Sequence, residues 1–329
     1  MQTSKKVLLE VDHLCKTFPL KHQLLGHTVG KVSAVNDISF TLYKGETLGL
    51  VGESGCGKTT LGRTILRLIE PTSGRIIFDG VDITHCSARQ MRRIRRKMQI
   101  IFQDPYAALN PRMAIRQILE EPIKIHQLSD SKVASTHRIH QLLDYVQLPS
   151  AILYKYPHEL SGGQRQRICI ARALAVEPTF MVCDEAIAAL DVSVQAQVIN
   201  LLMDLQKELG LSYLFISHDL RVVEFIAHHV AVMYLGKIVE AAPATEIYKN
   251  PKHPYTKALF SAIPTIHPSK HKERIILQGD VPNPSALPSG CYFHPRCWKA
   301  TAQCGNVHPA LVQTEGENHQ VACYEPETN

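Results

Sequence analysis

The sequence lacks three features that would narrow its function at once. It has no apolar run near the ~20 residues that a membrane-spanning helix needs, and its first residues, MQTSKKVLLE, contain no apolar segment typical of a signal peptide. It also lacks strong charge, since the net charge is only +6 over 329 residues. This mild charge permits contact with nucleic acid or anionic lipid but argues for neither. We expect a cytoplasmic chain that can dock on a membrane protein and has no nucleic-acid partner.

The composition is otherwise that of a globular protein. Hydrophobic residues make up 45% of the chain, which is enough for a core, and the length suggests about two domains. Of the nine cysteines, five are scattered through the first 183 residues and four lie between positions 291 and 323. A cytosolic chain is not expected to use them for structural disulfides.

A glycine-rich stretch from Gly52 to Thr60 reads GESGCGKTT and fits the P-loop pattern Gly-x-x-x-x-Gly-Lys-Ser/Thr. The apolar run Thr47–Val51 before it predicts a strand, and the spacing of apolar residues after it predicts a helix over Thr60–Ile69. In this context, backbone N–H groups and the lysine bind phosphate, and the threonine hydroxyl can ligate Mg²⁺. The candidate phosphate-binding residues are Gly52, Glu53, Ser54, Gly55, Cys56, Gly57, Lys58, Thr59 and Thr60.

Two further features predict phosphate chemistry in a parallel α/β fold. In YPHELSGGQ (Tyr156–Gln164), Ser161 is a good N-cap for a helix predicted over Gln164–Ala175, whose N-terminus suits an anion. The apolar strand Thr179–Cys183 ends directly in Asp184 and Glu185. Acids at the carboxyl end of a buried parallel strand occupy the edge where α/β sheets bind ligands.

In this order, the three features resemble the nucleotide-binding subunits of ABC transporters over about residues 7–263. The stretches QDPYAALNPRM (Gln103–Met113) and HPYTKALFSAIP (His253–Pro264) are similar to the dipeptide and oligopeptide importer branch. The resemblance implies an α/β, P-loop NTPase fold of the ABC type, with a RecA-like core, an antiparallel β subdomain and a helical subdomain at about 104–165. We expect the nucleotide-binding domain at 1–263 and a small cysteine-rich extension at 264–329.

The resemblance also implies residue roles. Phe18 would stack on adenine, Lys58 would contact the β- and γ-phosphates, and His218 would contact the γ-phosphate. Mg²⁺ would be held through Thr59, Gln103 and Asp184. Gln103 would also sense the attacking water, which Glu185 would orient or deprotonate. The element Ser161, Gly162, Gly163 and Gln164 would meet ATP held by a partner subunit.

The implied function is ATP hydrolysis in a membrane importer for dipeptides or oligopeptides. The implied partners are a second, related ATP-binding subunit, two membrane permease subunits and, indirectly, a substrate-binding protein, at the cytoplasmic face of the cell membrane. The alternative is a soluble ABC ATPase of translation or DNA repair, but the chain has one cassette and no heptad run between Lys58 and Ser161. One departure from the family is Ala188, where a serine is usual.

The four tail cysteines are spaced Cys-x5-Cys-x6-Cys-x18-Cys. Their resemblance to the tail of this branch implies a [4Fe–4S] cluster. Tetrahedral zinc and four unligated thiols remain open, although the short Cys pairs usual for zinc are missing. The four residues are Cys291, Cys297, Cys304 and Cys323. We interpret the nearby His294, His308 and His319 as surface residues.

Two local predictions concern breaks in regular structure. The segment Pro19–Gly30, which contains His22 and His27, is predicted to be a solvated loop. Residues 114–147 are predicted to be mainly helical, with breaks at Pro122 and near Ser129.

Overall fold

The computed structural model describes residues 5–21, 28–263, 274–314 and 318–327. In chain order, the strands are β1 (Val7–Lys21), β2 (Thr28–Tyr43), β3 (Thr47–Val51), β4 (Ser73–Phe78), β5 (Val81–Asp82), β6 (Met98–Ile101), β7 (Phe180–Asp184), β8 (Ser212–Ile216), β9 (His229–Tyr234), β10 (Lys237–Pro243), β11 (Val312–Gln313) and β12 (Gln320–Val321). The helices are α1 (Lys58–Ile65), α2 (Ala88–Ile94), α3 (Pro105–Ala108), α4 (Ile115–Ile125), α5 (Lys132–Tyr145), α6 (Gly162–Leu174), α7 (Val192–Leu209), α8 (Leu220–Ile226), α9 (Ala244–Ile247), α10 (Pro254–Ser261) and α11 (Ala302–Asn306).

Residue contacts divide the chain into two compact units. The helix-rich unit contains Tyr43–Glu46 and Cys86–Ile216, together with the N-terminal residues before Val7. The P-loop unit contains Val7–Leu42, Thr47–His85 and Ser217–Asn329. Both units are discontinuous in sequence, because the chain leaves and re-enters each of them.

The helix-rich unit is built on three parallel strands. Strand β7 pairs with β6 on one side and with β8 on the other, and all residues of β7 and β8 are buried. Buried, mainly apolar strands of this kind are expected where helices cover a parallel sheet. Helices α4 and α5 pack against α6, and each contributes buried residues on one face, as an amphipathic helix does.

The P-loop unit contains parallel and antiparallel strands. Strand β3 runs parallel to β9, which pairs antiparallel with β10; β10 continues antiparallel to β12, and β12 to β11. A second sheet has the strand order β2-β1-β4-β5. The predicted α/β fold, with parallel strands and a separate antiparallel sheet, is confirmed.

The loop predicted from Pro19 to Gly30 is wrong at both ends. Strand β1 continues through Lys21, and β2 begins at Thr28. The register of β1 with β4 ends at Cys15 paired with Ser73. Pro19 therefore lies beyond that pairing, and its missing N–H breaks no bond to β4. His22 and His27 lie outside the described residues.

The predicted helix break at Pro122 is also wrong, because α4 runs through it to Ile125. A proline inside a helix removes one backbone hydrogen bond and costs about 3 kcal/mol. Ile118, Leu119 and Ile123 on the same helix are buried. Their burial, at about 1.5–3 kcal/mol for each side chain, outweighs the cost of the proline.

Among the described residues, no helix combines the length and the hydropathy that a membrane-spanning segment requires. The predicted boundary between a nucleotide-binding domain and its extension, at 263/264, stays a prediction. It borders residues 264–273, which lie outside the described part of the chain.

Candidate functional site

The phosphate loop connects β3 to α1, as the sequence predicts. The backbone at Gly52 (φ 150°) and Gly57 (φ 108°) lies in regions that favour glycine. A Cβ at Gly52 would overlap the carbonyl oxygen of Met233, and a Cβ at Gly57 would overlap that of Ala34. The two fixed glycines of the motif are therefore required by the close approach of neighbouring backbone.

Lys58 is the first residue of α1 and is 5% exposed. Its ammonium donates to the carbonyl oxygens of Gly52 (2.7 Å) and Glu53 (2.9 Å). The N-cap residue before the helix is Gly57, which has no side chain to cap the first turn. The loop therefore presents a buried cation beside a helix N-terminus, which together suit a phosphate group.

Glu53 makes contacts that the sequence does not predict. Its amide donates to the hydroxyl of Tyr255 (2.9 Å), which is fully buried. Its carboxylate accepts two hydrogen bonds from the guanidinium of Arg296, at 2.8 and 3.2 Å. The separations of 202 and 243 positions along the chain explain why no local pattern indicates these contacts.

Two of the predicted catalytic residues meet in the helix-rich unit. Gln103 Nε2 donates to Glu185 Oε2 at 2.8 Å. Asp184, at the end of β7, is 2% exposed. Glu185 has φ 49°, in the left-handed region that non-glycine residues seldom adopt. Strained backbone of this kind is concentrated at functional sites.

The signature element, residues 161–164, forms the start of α6, and its residues Ser161 and Gly162 are exposed. Ser161 Oγ accepts from the Gln164 amide (3.3 Å), and Gln164 Oε1 accepts from the Ser161 amide (3.1 Å). This reciprocal pair is a capping box, and it confirms the N-cap predicted for Ser161. Gly163 packs against Val194 so closely that a Cβ would clash with its side chain.

Three other residues singled out from the sequence lie on β1, after β8 and in the turn after Glu185. Phe18 lies on β1 and is 37% exposed, with the Lys16 ammonium 4.9 Å from its ring centroid. His218 is exposed and follows β8. Ala188 donates its amide to the carbonyl oxygen of Glu185 (3.0 Å), in the turn where the family usually has serine.

The four tail cysteines line one cavity in the P-loop unit. Its lining residues include Cys291, Cys297, Cys304 and Cys323, with Phe293 on the wall. Burial raises the pKa of the Cys291, Cys297 and Cys323 thiols, the last to about 12. In the described part of the chain, no group of three or more His, Cys, Asp or Glu is arranged to hold a metal ion.

The histidines of the tail differ from the prediction in one respect. His294 and His308 are half-buried, and both bond backbone carbonyl oxygens. His319, interpreted from the sequence as a surface residue, is fully buried, and its Nε2 lies 2.6 Å from Glu240 Oε1. A buried carboxylate partner for His319 could not be read from the local sequence.

Comparisons with known proteins identify the family of the chain. Residues 35–188 match the ABC transporter family, and residues 239–304 match the C-terminal region of oligopeptide/dipeptide transporters. The chain is 47% identical over 324 residues to the oligopeptide transport ATP-binding protein AppF of Bacillus subtilis, covering 98% of both chains. It is 54% identical over 316 residues to a putative peptide import ATP-binding protein of Brucella abortus, covering 96% of this chain and 97% of that protein.

Solved structures give the same result. The dimeric ATP-binding cassette MJ0796, bound to ADP and Pi, is 25% identical with a TM-score of 0.64, covering 72% of this chain and 99% of that one. CbiO1 from Clostridium perfringens, part of an ABC transporter complex, is 26% identical with a TM-score of 0.64, covering 74% and 92%. The chain therefore belongs to the ABC transporter family, among the ATP-binding subunits of its oligopeptide and dipeptide branch.

Proposed function

We propose that this chain is the ATP-hydrolysing subunit of a membrane importer for dipeptides or oligopeptides. Identities of 47% and 54%, over nearly the full length of the chain, to proteins named for oligopeptide transport and peptide import support the cargo class. The match of residues 239–304 to the C-terminal region of that transporter branch supports it independently of the cassette. A soluble ATPase of translation or DNA repair is not favoured by these similarities.

ATP is held by the phosphate loop in this proposal. Lys58 leaves the carbonyl oxygens of Gly52 and Glu53 and binds the β- and γ-phosphates, where the start of α1 adds partial positive charge. The backbone N–H groups of the loop, from Ser54 to Thr60, surround the phosphate oxygens. Phe18, exposed on β1, stacks on adenine.

Hydrolysis depends on charge placement more than on covalent chemistry. The observation that carries this step is the hydrogen bond from Gln103 to Glu185, which holds the carboxylate in one orientation. Glu185 then orients or deprotonates the attacking water, and His218 contacts the γ-phosphate. Thr59, Gln103 and Asp184 would hold Mg²⁺, which neutralises phosphate charge when bound.

A second ATP-binding subunit completes each site. The start of α6 is exposed at Ser161 and Gly162, as a surface that meets a ligand on another chain must be. We place Ser161, Gly162, Gly163 and Gln164 against ATP held by a related, non-identical partner. The pair docks on two permease subunits at the cytoplasmic face of the membrane, and a substrate-binding protein delivers the peptide.

The test is Glu185→Gln in the complex reconstituted with its permease subunits and second ATPase. We expect ATP turnover to fall by at least 10²-fold, on the scale of losing one catalytic group, and peptide uptake to fall with it. ATP binding should persist, because the phosphate loop is untouched. Glu208→Gln, the same change at an exposed position on α7, is the matched control. Unchanged turnover in Glu185→Gln would mean either that the residue does not have this role or that the partner subunit's site does all the hydrolysis.

We further propose that the four-cysteine cavity holds a [4Fe–4S] cluster. Four thiols line one cavity, and burial raises the pKa of the Cys291, Cys297 and Cys323 thiols; a bound cation would favour the thiolates. Cys291, Cys297, Cys304 and Cys323, which line this cavity, would be the residues that hold the cluster. When bound, the cluster supplies one-electron redox chemistry or structural cross-linking.

Anaerobic purification tests the cluster. We expect brown protein with absorbance at about 400 nm, typical of iron–sulfur centres, and four irons for each chain. Cys304→Ser should lose both the colour and the iron, whereas Cys86→Ser, outside the cavity, should retain them. Stoichiometric zinc without iron, or no metal in the wild-type chain, would reject the cluster.

A further inference from the structure

Two residues between Cys291 and Cys297, Phe293 and Arg296, contact the phosphate loop or the residues packed beside it. Arg296 makes a two-point contact with the Glu53 carboxylate, from Nη1 to Oε2 and from Nη2 to Oε1. The Arg296 side chain is only 8% exposed and that of Glu53 is 27% exposed. Charge-assisted bidentate pairs of this kind fix both partners in direction as well as distance.

Aromatic rings support the same contact. Phe293, 1% exposed, lies with its ring centroid 5.4 Å from those of Tyr234 and Tyr255. The Tyr255 hydroxyl accepts a hydrogen bond from the Glu53 amide. The Tyr234 hydroxyl lies 3.5 Å from Arg296 Nη1. The Glu53 amide is therefore held by Tyr255, which packs against Phe293, and the Glu53 carboxylate is held by Arg296 of the same cysteine-bearing segment.

Glu53 in turn contacts Lys58. The Glu53 carbonyl oxygen accepts from the Lys58 ammonium at 2.9 Å. Arg296 thus holds the side chain of Glu53 and Tyr255 holds its amide, while its carbonyl oxygen contacts the lysine that binds phosphate. A shift of Arg296 would move the carbonyl and amide groups that shape the loop.

We propose that Arg296 is a positioning residue for ATP binding, which links the four-cysteine cavity to the phosphate loop through Glu53. The inference rests on the proposed ATP-binding role of the loop, and it does not depend on whether iron, zinc or four thiols occupy the cavity. Arg296 adjoins Cys297 in sequence, so the packing of that cysteine sets where the guanidinium stands. By linkage, nucleotide binding and the state of the cavity must influence each other equally.

The test measures the dissociation constant of a fluorescent ATP analogue with the full-length chain, and kcat and KM for ATP in the assembled complex. Arg296→Gln should weaken binding on the order of tenfold, about 1.4 kcal/mol, and raise KM while kcat changes little. Glu53→Gln should weaken it similarly, and the double variant should be no worse than either single one, since both remove one contact. Arg296→Lys keeps the positive charge but cannot make the two-point contact, so its affinity for the analogue should lie between those of wild type and Arg296→Gln.

Arg274→Gln makes the same chemical change at an exposed position of the C-terminal region and should bind as wild type does. Cys297→Ser should weaken nucleotide binding in the wild-type background and add nothing in Arg296→Gln. Equal affinity of wild type and Arg296→Gln, or additive losses in the double variant, would overturn the inference. Iron content, measured on the same samples, reports separately on the cluster. A wild-type chain that bound no nucleotide would defeat the proposed function and this inference together.

Discussion

The phosphate loop and the cysteine module (residues 291–314 and 318–323) belong to the same unit but are specified in different ways. The loop is nine consecutive residues, whose conformation is fixed by glycine backbone angles and by the close approach of Met233 and Ala34. The module draws its four cysteines from a span of more than thirty positions. A local motif is recognisable from its spacing, whereas a dispersed cavity is recognisable only after folding.

The two regions also differ in how they are held. The loop depends on steric fit to backbone, since its fixed glycines tolerate no Cβ. The module is joined to the sheet by a buried pair, Glu240 and His319, and by the pairing of β12 with β10. Arg296 connects the two regions directly. Substitutions in the loop and in the module, made separately, should show how much ATP affinity depends on the first kind of contact and how much folding stability depends on the second.

The largest effect is expected in the loop from Gly57→Ala. A Cβ at this position would overlap the Ala34 carbonyl oxygen, and the φ of 108° is unfavourable for alanine. We expect ATP binding to weaken by at least 10²-fold, or about 3 kcal/mol, because the loop must move to relieve the clash. Binding of the fluorescent ATP analogue, followed by titration, measures it.

The matched control is Gly80→Ala. Gly80 has a similar positive φ of 82°, but a Cβ there would meet nothing within 4 Å. It should cost only about 1 kcal/mol of stability from backbone strain and leave nucleotide binding unchanged. Similar losses of binding in both variants would mean that strain, and not contact with Ala34, controls the loop.

The next effect is expected in the module from Glu240→Gln, and it is a loss of folding stability. Glu240 is fully buried and accepts from the amides of Lys252 (2.6 Å) and His253 (2.9 Å), besides its contact with His319. Removing its charge leaves these donors poorly matched, so we expect unfolding free energy to fall by about 3 kcal/mol. Urea denaturation with an unchanged m-value measures it.

The control for Glu240→Gln is Lys257→Gln, which breaks a 2.9 Å pair with Glu327 at a side chain that is 44% exposed. Exposed pairs contribute about 1 kcal/mol or less. If Lys257→Gln costs as much as Glu240→Gln, the module is not held mainly by its buried pair.

The smallest effect is a pH dependence at His253, which lies against the module's Phe293. Burial lowers the pKa of His253 to about 4, although Glu240 opposes this shift and His308 adds to it. As pH falls below 6.5, His253 is therefore protonated in the unfolded chain at a higher pH than in the folded chain. Stability should be unaffected above this pH and fall by about 2 kcal/mol between about pH 6.5 and 4.5.

His253→Asn should remove that part of the pH dependence. Asparagine can still accept the Tyr255 amide as the N-cap of α10, as His253 Nδ1 does at 3.0 Å, but it does not titrate. Urea denaturation at several pH values compares the two proteins. A wild-type and variant difference that stays constant across the range would show that His253 titrates alike in both states.

Most of the loop and the signature element could be predicted, and the reason is their locality. The Ser161 capping box joins residues three positions apart, and the glycine positions of the phosphate loop follow from backbone geometry. The failures involve distant partners. Pro122 stays helical because its neighbours on α4 are buried, and Pro19 stays in β1 because the pairing with β4 has already ended.

Local sequence is enough to specify the phosphate loop, the capped start of α6 and the apolar strand that ends in Asp184, because each depends on backbone angles or contacts within a few residues. Long-range packing is needed to bring four separated cysteines to one cavity and to pair Arg296 with Glu53. Those contacts join positions up to 243 residues apart, and only the packing of the whole unit brings them within hydrogen-bonding distance.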